Sequence, residues 1–185
     1  MSRDVVVARY EEDISWTKLI ESNVIVYDKS PKPVKNSIVL PNVGREGHTY
    51  IYHILTRWNS LADWTAFVQG YPWPHVKQTR ETITSIDTCT DMFKPLGDHI
   101  APIEFPSHAK HHGQASVDLS KQAFGNTIPA KTKFVPGACF IVHRDRIKAI
   151  EEAYWNRALV ALSKESNPLA GYGMERLWMW LLTKN

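Results

Sequence analysis

Charged and hydrogen-bonding side chains stand where a glycine-containing loop runs into a predicted helix. Gly44 is followed by Arg45, Glu46 and His48, and apolar residues spaced 3, 1 and 3 positions apart predict a helix over residues 47–58. Free backbone N–H groups at a helix start, with an arginine nearby, suit an anion such as a diphosphate. The alternative is a solvated helix start that binds nothing.

A second candidate site follows the next predicted strand. Residues 65–68, Thr-Ala-Phe-Val, predict a short buried strand, and a glycine and two prolines end it in the loop at 69–75. Ligands of α/β proteins bind at the carboxyl ends of parallel strands, so chemistry is expected in this loop. Gln69, Tyr71 and Trp73 are its candidate ligand contacts. The alternative is an aromatic turn packed for stability alone.

The composition is that of one ordinary globular domain covering residues 1–185. Hydrophobic residues make up 43% of the chain and charged residues 22%, and the net charge is +3. Without a cluster of basic residues, this small charge argues against a nucleic-acid partner. No apolar run has the length of a membrane span. Cys89 and Cys139 lie far apart and outside any CxxC motif, which predicts reduced thiols and a cytoplasmic location.

Strands and helices alternate in the first half of the chain. Apolar runs at residues 4–8 and 23–27 predict buried strands, and Trp16, Leu19 and Ile20 predict a short helix between them. Strand, helix and strand in this order form a βαβ unit. The fold class predicted is therefore α/β, with a mainly parallel central sheet flanked by helices.

The second half of the chain gives weaker signals. We predict a helix over 74–86, a strand over 134–142, an amphipathic helix over 143–163, and a last helix from about Gly173 after a Gly-Tyr-Gly turn. Residues 87–133 are rich in proline and glycine and are predicted to form loops over the active site.

Six short motifs follow one another along the chain. They are Val5-Val-Val-Ala-Arg-Tyr-Glu-Glu12, Val24-Ile-Val-Tyr-Asp28, Asn42-Val-Gly-Arg-Glu-Gly-His48, Trp64-Thr-Ala-Phe-Val-Gln-Gly-Tyr71, Gly137-Ala-Cys-Phe-Ile-Val-His-Arg144 and Gly173-Met-Glu-Arg-Leu-Trp178. Their order resembles that of the GT-A glycosyltransferases, which implies one Rossmann-like GT-A-type domain. The Asn-x-Gly-Arg-Glu and Glu-Arg-Leu-Trp signatures also resemble those of a family of unknown function. That second resemblance does not indicate which activity to expect.

The resemblance implies transfer of a sugar from a UDP- or GDP-linked donor to a hydroxyl group of a glycan acceptor. The nucleotide and its diphosphate would be held by Arg9, Glu11, Asp28 and Arg45. Arginine suits a diphosphate because its guanidinium group donates several hydrogen bonds to phosphate oxygens. The alternative is that these residues form ion pairs, caps and turns.

The same resemblance assigns the donor-sugar pocket and the catalytic base. Gln69, Tyr71 and Trp73 would contact the sugar, and Glu175 would accept the proton of the acceptor hydroxyl. Residues 69–71 occupy the place of the family's Asp-x-Asp motif, whose acids hold a divalent metal such as Mn²⁺. Both acids are missing here, so no metal ligand is predicted in this loop. The alternatives are that a metal such as Mn²⁺ is held by other residues, that no metal is used, or that the protein does not catalyse transfer. Glu175 has an alternative role as a first-turn acid that interacts with the helix dipole.

Two other functions remain open from the sequence. The first is a non-catalytic carbohydrate-binding or nucleotide-sugar-binding protein of the same fold. The second is a metal-dependent hydrolase that uses His108, His111 and His112, because histidines at these spacings are able to bind a metal.

Overall fold

A six-stranded sheet forms the centre of the molecule. The computed structural model describes residues 1–77, 79–97, 99–105, 113–166 and 168–183. Its strands are β1 (Arg3–Arg9), β2 (Asn23–Asp28), β3 (Ile38–Val39), β4 (Trp64–Gln69), β5 (Phe93–Pro95), β6 (Ala101–Glu104), β7 (Lys131–Phe134) and β8 (Phe140–His143). The large sheet has the order β3-β2-β1-β4-β8-β5, in which the first four strands are parallel and β8 is antiparallel to both of its neighbours. The prediction of an α/β fold with a mainly parallel sheet is confirmed.

Helices cover both faces of this sheet. They are α1 (Arg45–Thr56), α2 (Thr79–Thr84), α3 (Gly113–Phe124), α4 (Arg144–Lys148), α5 (Glu152–Leu162) and α6 (Leu169–Thr183), with shorter 3₁₀ turns at Ser15–Leu19, Ser85–Thr88 and Pro136–Ala138. The helix predicted between the first two strands is thus only a 3₁₀ turn. The strands β6 and β7 form a separate antiparallel pair.

The central strand β1 shows why both faces must be covered. Val5, Val6 and Val7 are all fully buried, with Val6 in the core on one face and its two neighbours in the core on the other. Successive side chains of a strand point to opposite faces, so a continuous apolar run requires apolar partners on both sides.

Aromatic rings fill the core between the sheet and α1, α5 and α6. Tyr50 lies 4.9 Å from Phe67, Phe140 lies 5.3 Å from Trp178, and Trp178 lies 5.8 Å from Trp155, measured between ring centroids. Ring pairs at such distances add about 0.5–1.5 kcal/mol each beyond the burial of their area.

The region predicted to consist of loops is more regular than expected. Residues 87–133 contain β5, β6, α3 and the start of β7, so that prediction was wrong. Of the six residues that α3 buries, only Leu119 and Phe124 are large and apolar, and the others are Gly113, Ser116, Ser120 and Ala123. Such a face carries little hydrophobic signal, because periodicity is detected through large apolar side chains.

Two of the predicted helices have different limits. Residues 74–86 are helical only from Thr79, and the helix predicted over 143–163 is divided into α4 and α5. The hydrophobic period continues across the break because both helices pack on the same core. A hydrogen bond from Nε1 of Trp155 to the carbonyl of Ile147, 3.2 Å long, links them.

The last helix begins earlier than predicted, and this changes the position of Glu175. The glycines of the predicted Gly-Tyr-Gly turn lie inside α6, where a Cβ atom on Gly173 would stand 2.9 Å from the carbonyl oxygen of Ala115. The missing side chain therefore allows α6 to pack closely on α3. Glu175 consequently lies in the second turn of α6 and does not act as a first-turn acid.

Candidate functional site

An open cleft of about 430 Å³ lies at the carboxyl ends of β1, β2 and β4. The residues that line it come from these strand ends, from the start of α1 and from the loop before α6: Ala8, Arg9, Tyr10, Glu12, Lys29, Asn42, Arg45, Glu46, Thr49, Gln69 and Ser166. Parallel strands bring their carboxyl ends to one edge of the sheet, which is why residues distant in sequence meet here.

Arg9 and Asp28 form a buried ion pair at one end of the cleft. Nη1 of Arg9 lies 2.6 Å from Oδ2 of Asp28, whose side chain is fully buried, and it also donates to Oγ of Ser30 at 3.0 Å. Asp28 further accepts the backbone N–H groups of Ser30 and Val34. Burial alone would raise the pKa of Asp28, but these hydrogen bonds outweigh it and hold the pKa below its usual value. Arg9 lines the cleft, whereas the Asp28 carboxylate lies behind it.

The acid that lines the cleft at the end of β1 is Glu12, not Glu11. Glu11 is exposed and lies outside the lining, while Oε2 of Glu12 accepts the backbone N–H of Tyr10 at 2.6 Å. Nε of Arg9 donates to the carbonyl of Glu12 at 2.9 Å and fixes this turn. A Cβ atom on Gly70 would stand 2.8 Å from Oε2 of Glu12, so the two chain segments touch. The sequence has two adjacent acids here, and only the folded turn selects between them.

The start of α1 places Arg45 at the cleft wall. Its guanidinium carbon lies 4.4 Å from the ring centroid of Tyr172, and its Nε lies 3.7 Å from Oε2 of Glu46. About a third of the Arg45 side chain (34%) is exposed. Arg45 is therefore held at the first turn of a twelve-residue helix, where the helix dipole favours an anion.

Gly44 sets the direction of this helix start, and its replacement tests that role. The residue has φ of 63°, and a Cβ atom would stand 2.5 Å from the backbone oxygen of Leu162. We expect Gly44→Ala to lower the free energy of unfolding by about 2–4 kcal/mol, through the left-handed backbone and the steric clash together. Chemical denaturation measures this value. Gly125 is a matched control, because its φ is 66° and nothing lies within 4 Å of a Cβ atom there.

The control separates the two causes of the Gly44 effect. Gly125→Ala should lower stability by only about 1–2 kcal/mol, since it adopts the same unfavourable backbone without a clash. Equal losses in the two variants would contradict a steric role for Gly44.

Lys29 is a cleft residue that the sequence analysis did not identify. Its Nζ donates to the carbonyl of Val43 at 2.5 Å and to that of Arg45 at 2.6 Å, and only 8% of the residue is exposed. Burial lowers the pKa of Lys29 to about 8, and the Glu46 carboxylate opposes this shift only in part. A lysine following a strand is common on protein surfaces, so no sequence signal marked it.

Glu46 is a buried carboxylate in the wall of the cleft. Its side chain is 8% exposed, and among the described residues its ion-pair partner is Arg45, at a distance beyond hydrogen-bond length. Burial raises the pKa of Glu46; Arg45 and Lys29 oppose the rise, and Glu175 adds to it. An acid with a raised pKa in an open cleft is typical of a group that exchanges protons with a ligand.

Glu175, the predicted base, contacts a turn of the chain and does not line the cleft. Its Oε1 accepts the backbone N–H of Gly137 at 2.8 Å, and its Oε2 lies 3.1 Å from Nη1 of Arg176. It is absent from the residues that line the cleft. These contacts fix the turn at Pro136–Ala138, where Gly137 has φ of 79°.

Of the three predicted sugar contacts, only Gln69 lies at the cleft. Gln69 lines the cleft, whereas Tyr71 and Trp73 lie outside the lining and are 53% and 43% exposed. The rings of Tyr71 and Trp73 stack with centroids 5.7 Å apart, and Trp16 packs edge-on against Trp73. Nε1 of Trp16 donates to the carbonyl of Gly70 at 3.0 Å and attaches this aromatic group to the end of β4.

The residues around the cleft do not fit a divalent metal of the kind that an Asp-x-Asp motif binds. Gln69 stands at the end of β4, and Glu12, which lies against the next residue, Gly70, already accepts a backbone N–H group. Within the part of the chain that the structure describes, no three His, Cys, Asp or Glu residues are grouped so as to hold a metal ion. The predicted alternative site at His108, His111 and His112 lies outside the described residues.

The fold and the cleft together define an α/β protein with an open cleft at the carboxyl edge of a mainly parallel sheet. The chain is similar to a family described as "Protein of unknown function (DUF3431)", whose model matches residues 5–88. That range includes most of β1, all of β2 to β4 and α1, and therefore most of the cleft lining, but not Glu175. No curated protein matches the chain. Among the described residues, no helix is both long and apolar enough to cross a membrane.

Proposed function

We propose that this protein is a glycosyltransferase that moves a sugar from a nucleotide-sugar donor to a hydroxyl group of a glycan. One observation carries the proposal: the cleft at the carboxyl ends of the parallel strands combines two cations, Lys29 and Arg45, with the buried carboxylate of Glu46. Glycosyl transfer with inversion requires positive charge for the diphosphate and a base for the acceptor. The antiparallel β8 beside the parallel strands supports a GT-A-type arrangement of this sheet.

In this proposal the donor diphosphate lies against the start of α1. Arg45 and the N-terminal dipole of the helix stabilise the charge that develops on the leaving diphosphate. The nucleoside lies towards the end of β1, where Arg9 and Glu12 line the cleft. Asp28 supports the site indirectly by holding Arg9, and the exposed Glu11 has no assigned contact.

Glu46 replaces Glu175 as the proposed base. The Glu46 carboxylate takes the proton of the acceptor hydroxyl, and the hydroxyl oxygen bonds to the anomeric carbon of the donor sugar. The bond between that carbon and the diphosphate oxygen breaks, and the nucleoside diphosphate leaves with the electron pair. A single displacement of this kind inverts the anomeric configuration.

Ligand binding provides the first test of the proposal. A ligand that binds only the folded state at about 100 times its dissociation constant stabilises the protein by about 2.7 kcal/mol. For a chain of this size, that corresponds to a rise in Tm of roughly 5–10 °C. We expect such a shift with one UDP- or GDP-linked sugar, and the same shift with and without Mn²⁺. No shift with any member of a panel of nucleotide sugars would overturn the proposal.

A non-catalytic binding protein is the second candidate, and the sequence Gln69-Gly70-Tyr71 at the end of β4 favours it. Turnover distinguishes the two functions. Binding of a nucleotide sugar without transfer to any saccharide acceptor would support the binding protein, whereas release of the nucleoside diphosphate that depends on an acceptor would support the transferase.

A further inference from the structure

Thr49 carries a buried hydroxyl group without a partner in the wall of the cleft. The residue is 0% exposed, and its Oγ1 makes no hydrogen bond with the described part of the protein. A helical threonine is able to donate to the carbonyl four residues earlier. Here that carbonyl belongs to Arg45 and already accepts Nζ of Lys29 at 2.6 Å. A buried hydroxyl left in this state costs stability, and in the wall of a cleft a ligand is able to supply the missing partner.

Lys29 supplies a second donor in the same part of the cleft. Its ammonium group has three N–H donors, of which two are directed at the carbonyls of Val43 and Arg45. The Arg45 carbonyl thus brings Lys29 to the first turn of α1, the turn that leads to Thr49. One remaining ammonium proton and one hydroxyl proton are available to an acceptor in the cleft.

We propose that Lys29 and Thr49 form an anion subsite that binds a phosphoryl group of a diphosphate. Both groups donate hydrogen bonds, and the start of α1 adds its dipole and the guanidinium group of Arg45. The carboxylates of Glu12 and Glu46 also line the cleft, and Glu46 lies beside Arg45, so the hydrogen bonds from Lys29 and Thr49 are needed to hold an anion there. That the ligand is a nucleoside diphosphate rests on the proposed function. The subsite itself is proposed to bind a diphosphate group whether or not a nucleoside is attached.

The test uses inorganic pyrophosphate as the probe and Thr49→Val as the main variant. Valine has the shape of threonine without the hydroxyl group. We expect pyrophosphate affinity, measured by isothermal titration calorimetry, to fall about 10- to 100-fold, the value of one hydrogen bond to a charged group. The same variant should raise Tm without ligand by about 2–4 °C, because an unsatisfied buried hydroxyl is removed. Thr49→Ser keeps the hydroxyl and should restore binding.

Thr65 offers a matched control. Its Oγ1 is likewise buried and without a partner among the described residues, but it lies in β4 away from the cleft lining. Thr65→Val should raise Tm in the same way and leave pyrophosphate affinity unchanged. Lys29→Met should also weaken binding by at least tenfold, since it removes the ammonium group.

The other possible results each support or contradict the anion subsite or the proposed function. Unchanged affinity in Thr49→Val, or no binding of pyrophosphate to the unaltered protein, would overturn the subsite. Pyrophosphate binding that depends on Thr49, in a protein that binds no nucleotide sugar, would retain the subsite and reject the proposed function. Sugar transfer that is insensitive to Thr49→Val would retain the function and reject the subsite.

Discussion

Glu46→Gln is expected to lower the turnover number for glycosyl transfer by about 10²- to 10⁴-fold, the usual contribution of a general base. Glutamine has nearly the same size as glutamate and is unable to accept the acceptor proton. The variant should still bind the donor, because Lys29 and Arg45 remain in the cleft. Initial rates at saturating donor and acceptor measure the loss, and calorimetry with the nucleotide sugar measures binding.

The pH dependence of the reaction provides an independent readout of the same residue. Burial raises the pKa of Glu46; Arg45 and Lys29 oppose the rise, and Glu175 reinforces it. The base must be ionised to act, so kcat/KM should fall as the pH is lowered through a pKa above the ordinary value for glutamate. This acidic limb should disappear in Glu46→Gln, which would not follow from a purely structural role.

Glu175→Gln is the matched comparison for Glu46→Gln. The amide oxygen of glutamine is still able to accept the N–H group of Gly137, so the turn at Pro136–Ala138 should persist. Because Glu175 does not line the cleft, we expect a loss of turnover below about tenfold. A large loss in Glu175→Gln together with normal turnover in Glu46→Gln would instead support the base that the sequence resemblance implies.

Asp28→Ala is expected to lower the free energy of unfolding by about 3–5 kcal/mol, the usual effect of removing one partner from a buried ion pair. The side chains of Arg9 and Asp28 are 10% and 0% exposed. The substitution leaves the Arg9 guanidinium group without its counter-charge and frees the N–H groups of Ser30 and Val34. For a chain of this length, Tm should fall by roughly 6–20 °C.

A surface ion pair provides the control for this loss. Lys131 lies 3.8 Å from Glu104, and its side chain is 80% exposed. Lys131→Ala should change the free energy of unfolding by no more than about 0.5 kcal/mol. Similar losses for Asp28→Ala and Lys131→Ala would contradict the structural importance of the buried pair.

Acid should weaken the unaltered protein through the same carboxylate. The pKa of Asp28 is lower in the folded protein than in the unfolded chain, so its contribution is complete above the unfolded value of about 3.9 and is lost as the pH falls through the folded value. Asp28→Ala should therefore lose less stability between neutral and acidic pH than the unaltered protein does.

The sequence by itself determined the central part of the fold. Apolar runs around Val5–Val7 and at β2 and β4, separated by charged loops, predict buried parallel strands, because only strands covered on both faces are apolar throughout. From parallel strands it follows that Arg9, Gln69 and the start of α1 meet at one edge of the sheet, and the structure brings them together there. The order of strands in the sequence is therefore sufficient to predict the edge of the sheet at which the cleft lies.

Only the tertiary structure decided which side chains face that cleft. Beyond the last residue of a strand, the direction of a side chain depends on the turn, and the hydrogen bond from Arg9 to the carbonyl of Glu12 determines that Glu12 rather than Glu11 lines the site. In the same way, Asp28 is buried behind the cleft in its ion pair with Arg9. The next residue, Lys29, lines the cleft and donates to the carbonyl of Arg45 at the start of α1. Adjacent residues have nearly the same sequence context, so sequence patterns do not predict which of the two lines the cleft.

The position of Glu175 was likewise decided by packing at long range. The absence of a side chain at Gly173, beside the carbonyl of Ala115, allows α6 to pack closely on α3, a helix that the sequence pattern did not predict. Glu175 is then held by the N–H group of Gly137, whereas Glu46 lines the cleft. Periodicity identifies the buried face of a helix. The contacts and the burial of a polar side chain on that helix depend on the elements against which the helix packs.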